Sequence, residues 1–215
     1  MSFLNQLKTQ AKALQTERNA QEATLEERVA QTEKAAGFIA PYLQDLARQL
    51  NVIEPAGPVL TLDGKVKWPA MKLVDFRADA RRKMLRDQEV FDYIGIGWRI
   101  VPQIGAPVSG LVSVNFPTDM QRVESRLAMG PVKHERREIR HPEKNVLQAV
   151  RYEYITATRG SVMATADHEA GQIRFRLLNT AGFEVVSVAW PAHQIGHETM
   201  DELAKRIVGQ PSRFA

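Results

Sequence analysis

QIRFRLLNTAGFEVVSVAW, residues 172–190, reads as two β-strands folded back on each other through a short turn at Thr180-Ala181-Gly182. In the first strand Ile173, Phe175 and Leu177 alternate with Arg174 and Arg176. A strand turns successive side chains to opposite faces, so one face belongs to a core and the other presents two guanidinium groups. The neighbouring sequence continues as an antiparallel meander, with strands expected near 132–140, 146–158, 161–167, 172–179 and 183–190. Tight connections at Arg159-Gly160, at His168-Glu169-Ala170-Gly171 and at residues 180–182 support hairpins.

Those connections imply a register. The turn at 168–171 pairs Thr165 with Arg174 and Met163 with Arg176. The turn at 180–182 pairs Arg176 with Val186 and Arg174 with Val188, and leaves Trp190 near Gln172. A turn at Arg159-Gly160 pairs Thr156 with Met163 and Tyr154 with Thr165. One face then gathers Tyr152, Tyr154, Thr156, Met163, Arg174, Arg176, Val186, Val188 and Trp190. The other gathers Ile155, Val162, Ala164, Phe175, Leu177 and Val185 as core. Arginine beside tyrosine and tryptophan suits stacking, cation–π contact and bidentate capture of carboxylate or phosphate. Tyr152, Tyr154, Arg174, Arg176 and Trp190 are therefore the candidate binding residues. Three readings of the face compete. The chain's own helix covers it, with arginine stems lying over apolar neighbours. It docks a protein partner, since tyrosine, tryptophan and arginine are enriched at hot spots. Or it stacks single-stranded nucleic acid, although a lysine-rich rim and any RNA-binding signature are missing.

Upstream, YIGIGWRIV (93–101) alternates Ile94, Ile96, Trp98 and Ile100 against Tyr93, Gly95, Gly97 and Arg99, and the two glycines allow close approach on their face. Strands are also expected at 71–77 and 110–116, and Asp63-Gly64 predicts a hairpin between 59–62 and 66–68. Residues 79–91 are read as a short, solvated helix whose Arg77, Arg81, Arg82, Lys83 and Arg86 pair locally with Asp79 and Asp87. A helix is expected from Thr118, as N-cap, to Met129 with Gly130 as its stop, and a last helix from Glu198 to Val208.

Residues 3–36 lack proline and glycine and are rich in helix formers. Leu4, Leu7, Ala11 and Leu14 make one apolar stripe. Leu25, Val29, Thr32, Ala36, Ile39, Leu43, Leu46 and Leu50 make another, and Arg18, Gln21 and Glu22 interrupt the seam between them. Gly37 and Pro41 predict the end of one helix and the start of the next, a kinked continuous helix being the alternative. The partner surface for these stripes is the chain's own sheet, a second copy or another protein. The fold class is α+β: an antiparallel meander of about seven to nine strands with a long N-terminal helical arm (1–50), a central helix and a C-terminal helix, residues 51–215 forming the α+β domain.

The 215 residues contain no cysteine, which excludes disulfides and thiolate chemistry. The net charge of +4 is spread as zero, +2 and +2 over residues 1–50, 51–130 and 131–215, without the clustering of a nucleic-acid footprint. No run approaches the roughly 20 apolar residues of a membrane span. The N-terminus has no signal-like apolar stretch, and a cytoplasmic protein is expected. VKHERREIRH (132–141) reads as a charged edge strand. His193 and His197 have zinc-ligand spacing, but Pro191 and Gly196 interrupt a helix there. Gly95-x-Gly97 lacks the third glycine of a dinucleotide site, and no serine elbow or phosphate loop occurs. No cofactor or metal is expected. The chain reads as a non-catalytic binding or assembly protein using its helical arm and Arg/aromatic sheet face. A nucleic-acid-binding protein and an enzyme with a dispersed site are the alternatives. The expected partner is a protein or a second copy, with nucleic acid less supported and no membrane.

Overall fold

The computed structural model describes the backbone of residues 3–215, with side chains throughout from Thr24 and at Lys12, Leu14 and Gln15. The helices are α1 (Phe3–Ile53), α2 (Pro117–Met129) and α3 (His197–Ile207). The strands are β1 (Met71–Leu85), β2 (Gln88–Pro102), β3 (Ser109–Val114), β4 (His134–Arg140), β5 (Leu147–Ile155), β6 (Thr158–Asp167), β7 (Gln172–Leu178) and β8 (Val185–Pro191). The architecture is α+β, and all strand pairing is antiparallel. The strands divide into two sheets, a five-stranded one ordered β1-β2-β6-β7-β8 and a three-stranded one ordered β3-β5-β4.

The α1 helix runs 51 residues without a break and carries Pro41 inside it. At 1.5 Å per residue it is about 76 Å long. Gly37 and Pro41 thus end no helix. Both point away from the sheet, while Thr32, Ala36, Ile39, Leu43 and Leu50 stay buried along one stripe. Burial of that stripe offsets the roughly 3 kcal/mol that an interior proline costs. The second apolar stripe therefore meets the chain's own sheet. Of the first stripe, Leu14 is 53% exposed. The side chains of Leu4, Leu7, Ala11, Arg18, Gln21 and Glu22 lie outside the described residues.

The helix also completes the hydrogen bonding of the sheet. Strand β1 breaks register against β2 between Val74 and Arg77 and again between Arg81 and Arg82. At the first break Asn51 of α1 accepts from the Phe76 amide (2.7 Å) and donates to its carbonyl (2.9 Å). At the second, the Phe91 amide donates to Glu33 (2.8 Å), which also accepts from buried His168 (2.8 Å). Bulges leave backbone groups unpaired, and here polar side chains of the covering helix satisfy them.

Four local expectations change. Residues 79–91 form no helix, because they are the two arms of the β1–β2 hairpin around Arg86-Asp87. Their charges pair across strands, Lys83 with Asp92 (3.0 Å) and Arg82 with Glu89 (3.7 Å), and Arg82 lies over the Phe91 ring. The Asp63-Gly64 turn forms, with Asp63 accepting from the Lys65 and Val66 amides. Only the single bridge Thr61–Lys67 flanks it, so no strands extend from it. Burial alone would raise the Asp63 carboxyl, but those amides and Thr61 hold it below the ordinary aspartate range. The N-cap of α2 is Phe116 with Pro117 in the first turn, which displaces Thr118 by pre-setting the helical φ.

The fourth change splits the meander. Arg159-Gly160 is not a turn: Gly160 lies inside β6 opposite Trp98, and a Cβ there would sit 2.4 Å from the indole. The chain instead crosses between sheets at Thr156-Ala157, where the Thr156 hydroxyl donates to the Val108 carbonyl and accepts from its amide. Gly110 is the matching position in the second sheet, where the Tyr154 ring covers it.

Because the buried half of α1 carries so much of the core, Ile39→Ala should lower unfolding stability by about 2–5 kcal/mol. Leu14→Ala should leave it unchanged. Denaturant titration of both variants measures the difference.

Candidate functional site

The candidate face is the outer side of the five-stranded sheet. Alternation sets it: Ile94, Ile96, Val162, Ala164, Ile173, Phe175 and Leu177 are buried toward α1 and the C-terminal segment, so their neighbours must point outward. The Phe214 ring meets Phe175 edge-on at 5.0 Å on the inner side. The outward-facing residues form cross-strand rows. One row runs Arg81–Tyr93–Thr165–Arg174–Ala189 and the next Asp79–Gly95–Met163–Arg176–Ser187. A third runs Arg77–Gly97–Ser161–Leu178–Val185, and Arg99 lies opposite Arg159 beyond it.

On the two central strands Gly95, Gly97, Ser161 and Thr165 are small, and Tyr93 and Met163 stand among them. Arginines of β1 stand on one side and those of β7 on the other. Three strand spacings separate β1 from β7, about 14 Å. One hollow of 580 Å³ on this face is lined by Arg77, Gly97, Arg99, Arg159 and Ser161 among others. A second, of 390 Å³, is lined by Met163, Arg174, Arg176, Ser187 and Ala189 among others. Arg99 pairs with Asp75 (3.0 Å), Arg174 with Asp167 and Arg81 with Asp92 (4.0 Å). Among the described residues Arg77, Arg159 and Arg176 make no ion pair. Exposed pairs of this kind are worth roughly 0–1 kcal/mol, so the paired guanidinium groups exchange partners at little cost.

Arg174 and Arg176 are thus on an exposed face, and the expected pairing of Thr165 with Arg174 and Met163 with Arg176 is present. The three aromatic candidates are elsewhere. Strand β5 joins the other sheet, so Tyr152 and Tyr154 share no face with the arginines. Tyr152 is fully buried, and its hydroxyl donates to Glu124 of α2 (2.7 Å). Tyr154 stacks on Trp68 at 5.4 Å. Burial raises both phenols above the ordinary tyrosine value, aided at Tyr152 by Glu124. Trp190 faces the core side. The β7–β8 register is one residue from that expected, pairing Arg176 with Ser187, Arg174 with Ala189 and Ile173 with Trp190. The connection is wider than Thr180-Ala181-Gly182, closing where the Asn179 amide donates to the Glu184 carbonyl. Val186, Val188 and Trp190 accordingly pack against the core, Trp190 beside Phe214 at 5.8 Å.

Arg77, Arg81, Arg99 and Arg159 complete the face and were not among the expected residues. Their signal was present as the period-two order Arg77, Asp79, Arg81, which a helical reading of the same charges conceals. No group of three potential metal-ligating residues occurs among the described residues. His197 opens α3, its ring edge-on to Phe38 at 4.8 Å. No described helix is long and apolar enough to cross a membrane. The chain matches no family model, no curated protein and no solved structure.

At the rim, burial alone would raise the Asp167 carboxyl, but the Ala170 amide, Gln172 and Arg174 hold it below the ordinary aspartate value. A lowered folded-state value stabilises the fold at neutral pH, and that contribution is lost as pH falls below about 4. Asp167→Asn should therefore show a smaller loss of stability on acidification than the parent chain, measured as the urea midpoint at neutral and acid pH.

Proposed function

We propose that this is a non-catalytic binding or assembly protein whose arginine-rich outer sheet face takes an acidic surface of a protein partner, with the N-terminal half of α1 as a second docking element. The observation that carries the reading is the one-sided cover of the five-stranded sheet. The helix α1 and the C-terminal segment cover its inner face, whereas Arg77, Arg99, Arg159, Arg174 and Arg176 stand exposed on the outer one. Arginine is suited to such a surface because its planar fork binds carboxylates bidentately and its stem covers apolar ground.

Two features favour an acidic protein surface over a nucleic-acid strand. Tyr152 and Tyr154 are core residues of the other sheet, so Tyr93 is the one aromatic residue within the cross-strand rows of the arginines. Asp75, Asp79 and Asp167 are interleaved with the arginines, which suits a partner of mixed charge better than a continuous run of phosphates.

Polyglutamate and a single-stranded oligonucleotide serve as probes. The full chain should bind polyglutamate at low salt and release it as salt rises. Arg174→Glu with Arg176→Glu should weaken binding at least tenfold without changing the circular dichroism spectrum. Equal binding by the reversed variant, no binding at low salt, or tighter salt-sensitive binding of the oligonucleotide overturns the reading.

A further inference from the structure

Gly95 and Gly97 share the outer side of β2, and the space above them is used differently. Gly95 is covered, since Asp79 Oδ1 lies 3.0 Å from where a Cβ would stand there. Above Gly97, beyond its chain neighbours, the only atom within 4 Å of such a Cβ is the Gly160 carbonyl oxygen at 3.8 Å. Three exposed arginines surround this open place. Arg77 lies opposite Gly97 on β1, Arg99 follows it by two residues on β2, and Arg159 lies opposite Arg99 on β6. From strand spacing and rise, their Cα atoms stand about 5, 7 and 8 Å from that of Gly97, a distance an arginine side chain spans.

Like charges directly opposed across strands destabilise a sheet unless something neutralises them. On the second sheet Arg137 faces Arg151, but Glu135 and Glu153 adjoin them on the same face, and Arg137 bonds Glu135 (3.1 Å). Opposed Arg99 and Arg159 have less help. The same-face neighbour of Arg159 on β6 is the uncharged Ser161. Of the nearby carboxylates, Asp75 is taken by Arg99 (3.0 Å) and Asp79 accepts from the Tyr93 hydroxyl (3.4 Å). Among the described residues the Arg77 and Arg159 guanidinium groups and the Ser161 hydroxyl have no partner. A bulge shapes the rim: β1 sets Asp75 and Phe76 against Trp98 alone, and Asp75 takes a φ of 57°, in the left-handed region that favours glycine. An aspartate held there keeps a carboxylate on Arg99.

We infer that the hollow over Gly97 is a subsite for one phosphoryl group, carried as phosphoserine or phosphothreonine by an acidic protein segment. A phosphoryl group offers three acceptor oxygens, one for each guanidinium, where a carboxylate offers two. Arg77 and Arg159 supply free forks and Ser161 a hydroxyl, and Arg99 turns from Asp75 at little cost because that pair is exposed. The neighbouring hollow is built otherwise, with Arg174 held by Asp167 and Met163 opposite Arg176. The protein carrier rests on the acidic-partner reading; the phosphoryl preference does not.

Fluorescence anisotropy with an acidic peptide bearing either phosphoserine or glutamate at one central position measures the preference. The full chain should bind the phosphoserine form at least about tenfold more tightly. Arg77→Gln with Arg159→Gln should erase that ratio and weaken the glutamate form far less, whereas Arg174→Gln with Arg176→Gln should weaken both peptides and keep the ratio. Asp75→Asn should tighten phosphopeptide binding severalfold by freeing Arg99. Equal affinity for the two peptides overturns the inference, and if polyglutamate still binds it leaves the acidic-partner reading standing. A ratio that survives Arg77→Gln with Arg159→Gln, or stronger competition by a 5′-phosphorylated oligonucleotide than by the phosphopeptide, also overturns it.

Discussion

One helix packs along one side of one sheet, and the rest of the molecule follows from that contact. The stripe from Thr32 to Leu50 removes the inner side of β1 and β2 from water while Phe214 covers that of β7, and hydrophobic burial of this kind is the dominant favourable term in folding. The contact is polar as well as apolar. Glu33 and Asn51, at the two ends of the buried stripe, take up backbone groups that the irregularities of the β1–β2 pair leave unpaired. The helix is thereby held in register along its axis as well as pressed onto the sheet, with His168 adding a buried link to Glu33.

A sheet covered on one side only must present its second face to water, and the residue choice on that face reflects this. Gly95, Gly97, Ser161 and Thr165 occupy the central strands together with Tyr93 and Met163, and arginine the flanks, with aspartates interleaved. Such a surface presents its guanidinium donors to water, where each can make directional hydrogen bonds. The second sheet plays a different part. Tyr152, Tyr154 and Trp68 fill its core, and α2 closes it through Glu124 and through Arg126, which donates to the Thr61 and Leu62 carbonyls. Its aromatic residues serve packing, so the chemistry on the arginine face is that of guanidinium groups.

The β7 alternation, the pairing of Thr165 with Arg174, the buried helical stripe and, to within about two residues, the extents of α2 and α3 were legible in the sequence. Each rests on a local period or on a turn of unambiguous length. The aromatic half of the candidate site was not legible. Its placement depended on reading Arg159-Gly160 as a turn, and a glycine serves a tight turn and a crowded packing position equally well. Only the Trp98 ring, arriving from β2, distinguishes the two. The charges of residues 77–87 were ambiguous for a similar reason. Ion pairs three or four residues apart on a helix and ion pairs across a hairpin use the same side chains.

The sequence by itself thus determined which residues are apolar and at what period, and hence the fold class, the helix stripe and the outward direction of Arg174 and Arg176. Tertiary structure alone decided that β5 leaves for a second sheet, that Pro41 stays within a helix, and that Trp190 turns inward. The physical reason is range. Periodicity is a property of neighbouring residues, whereas the path of a crossover and the register of an edge strand are set by contacts between residues far apart in the chain, whose packing outweighs local preference.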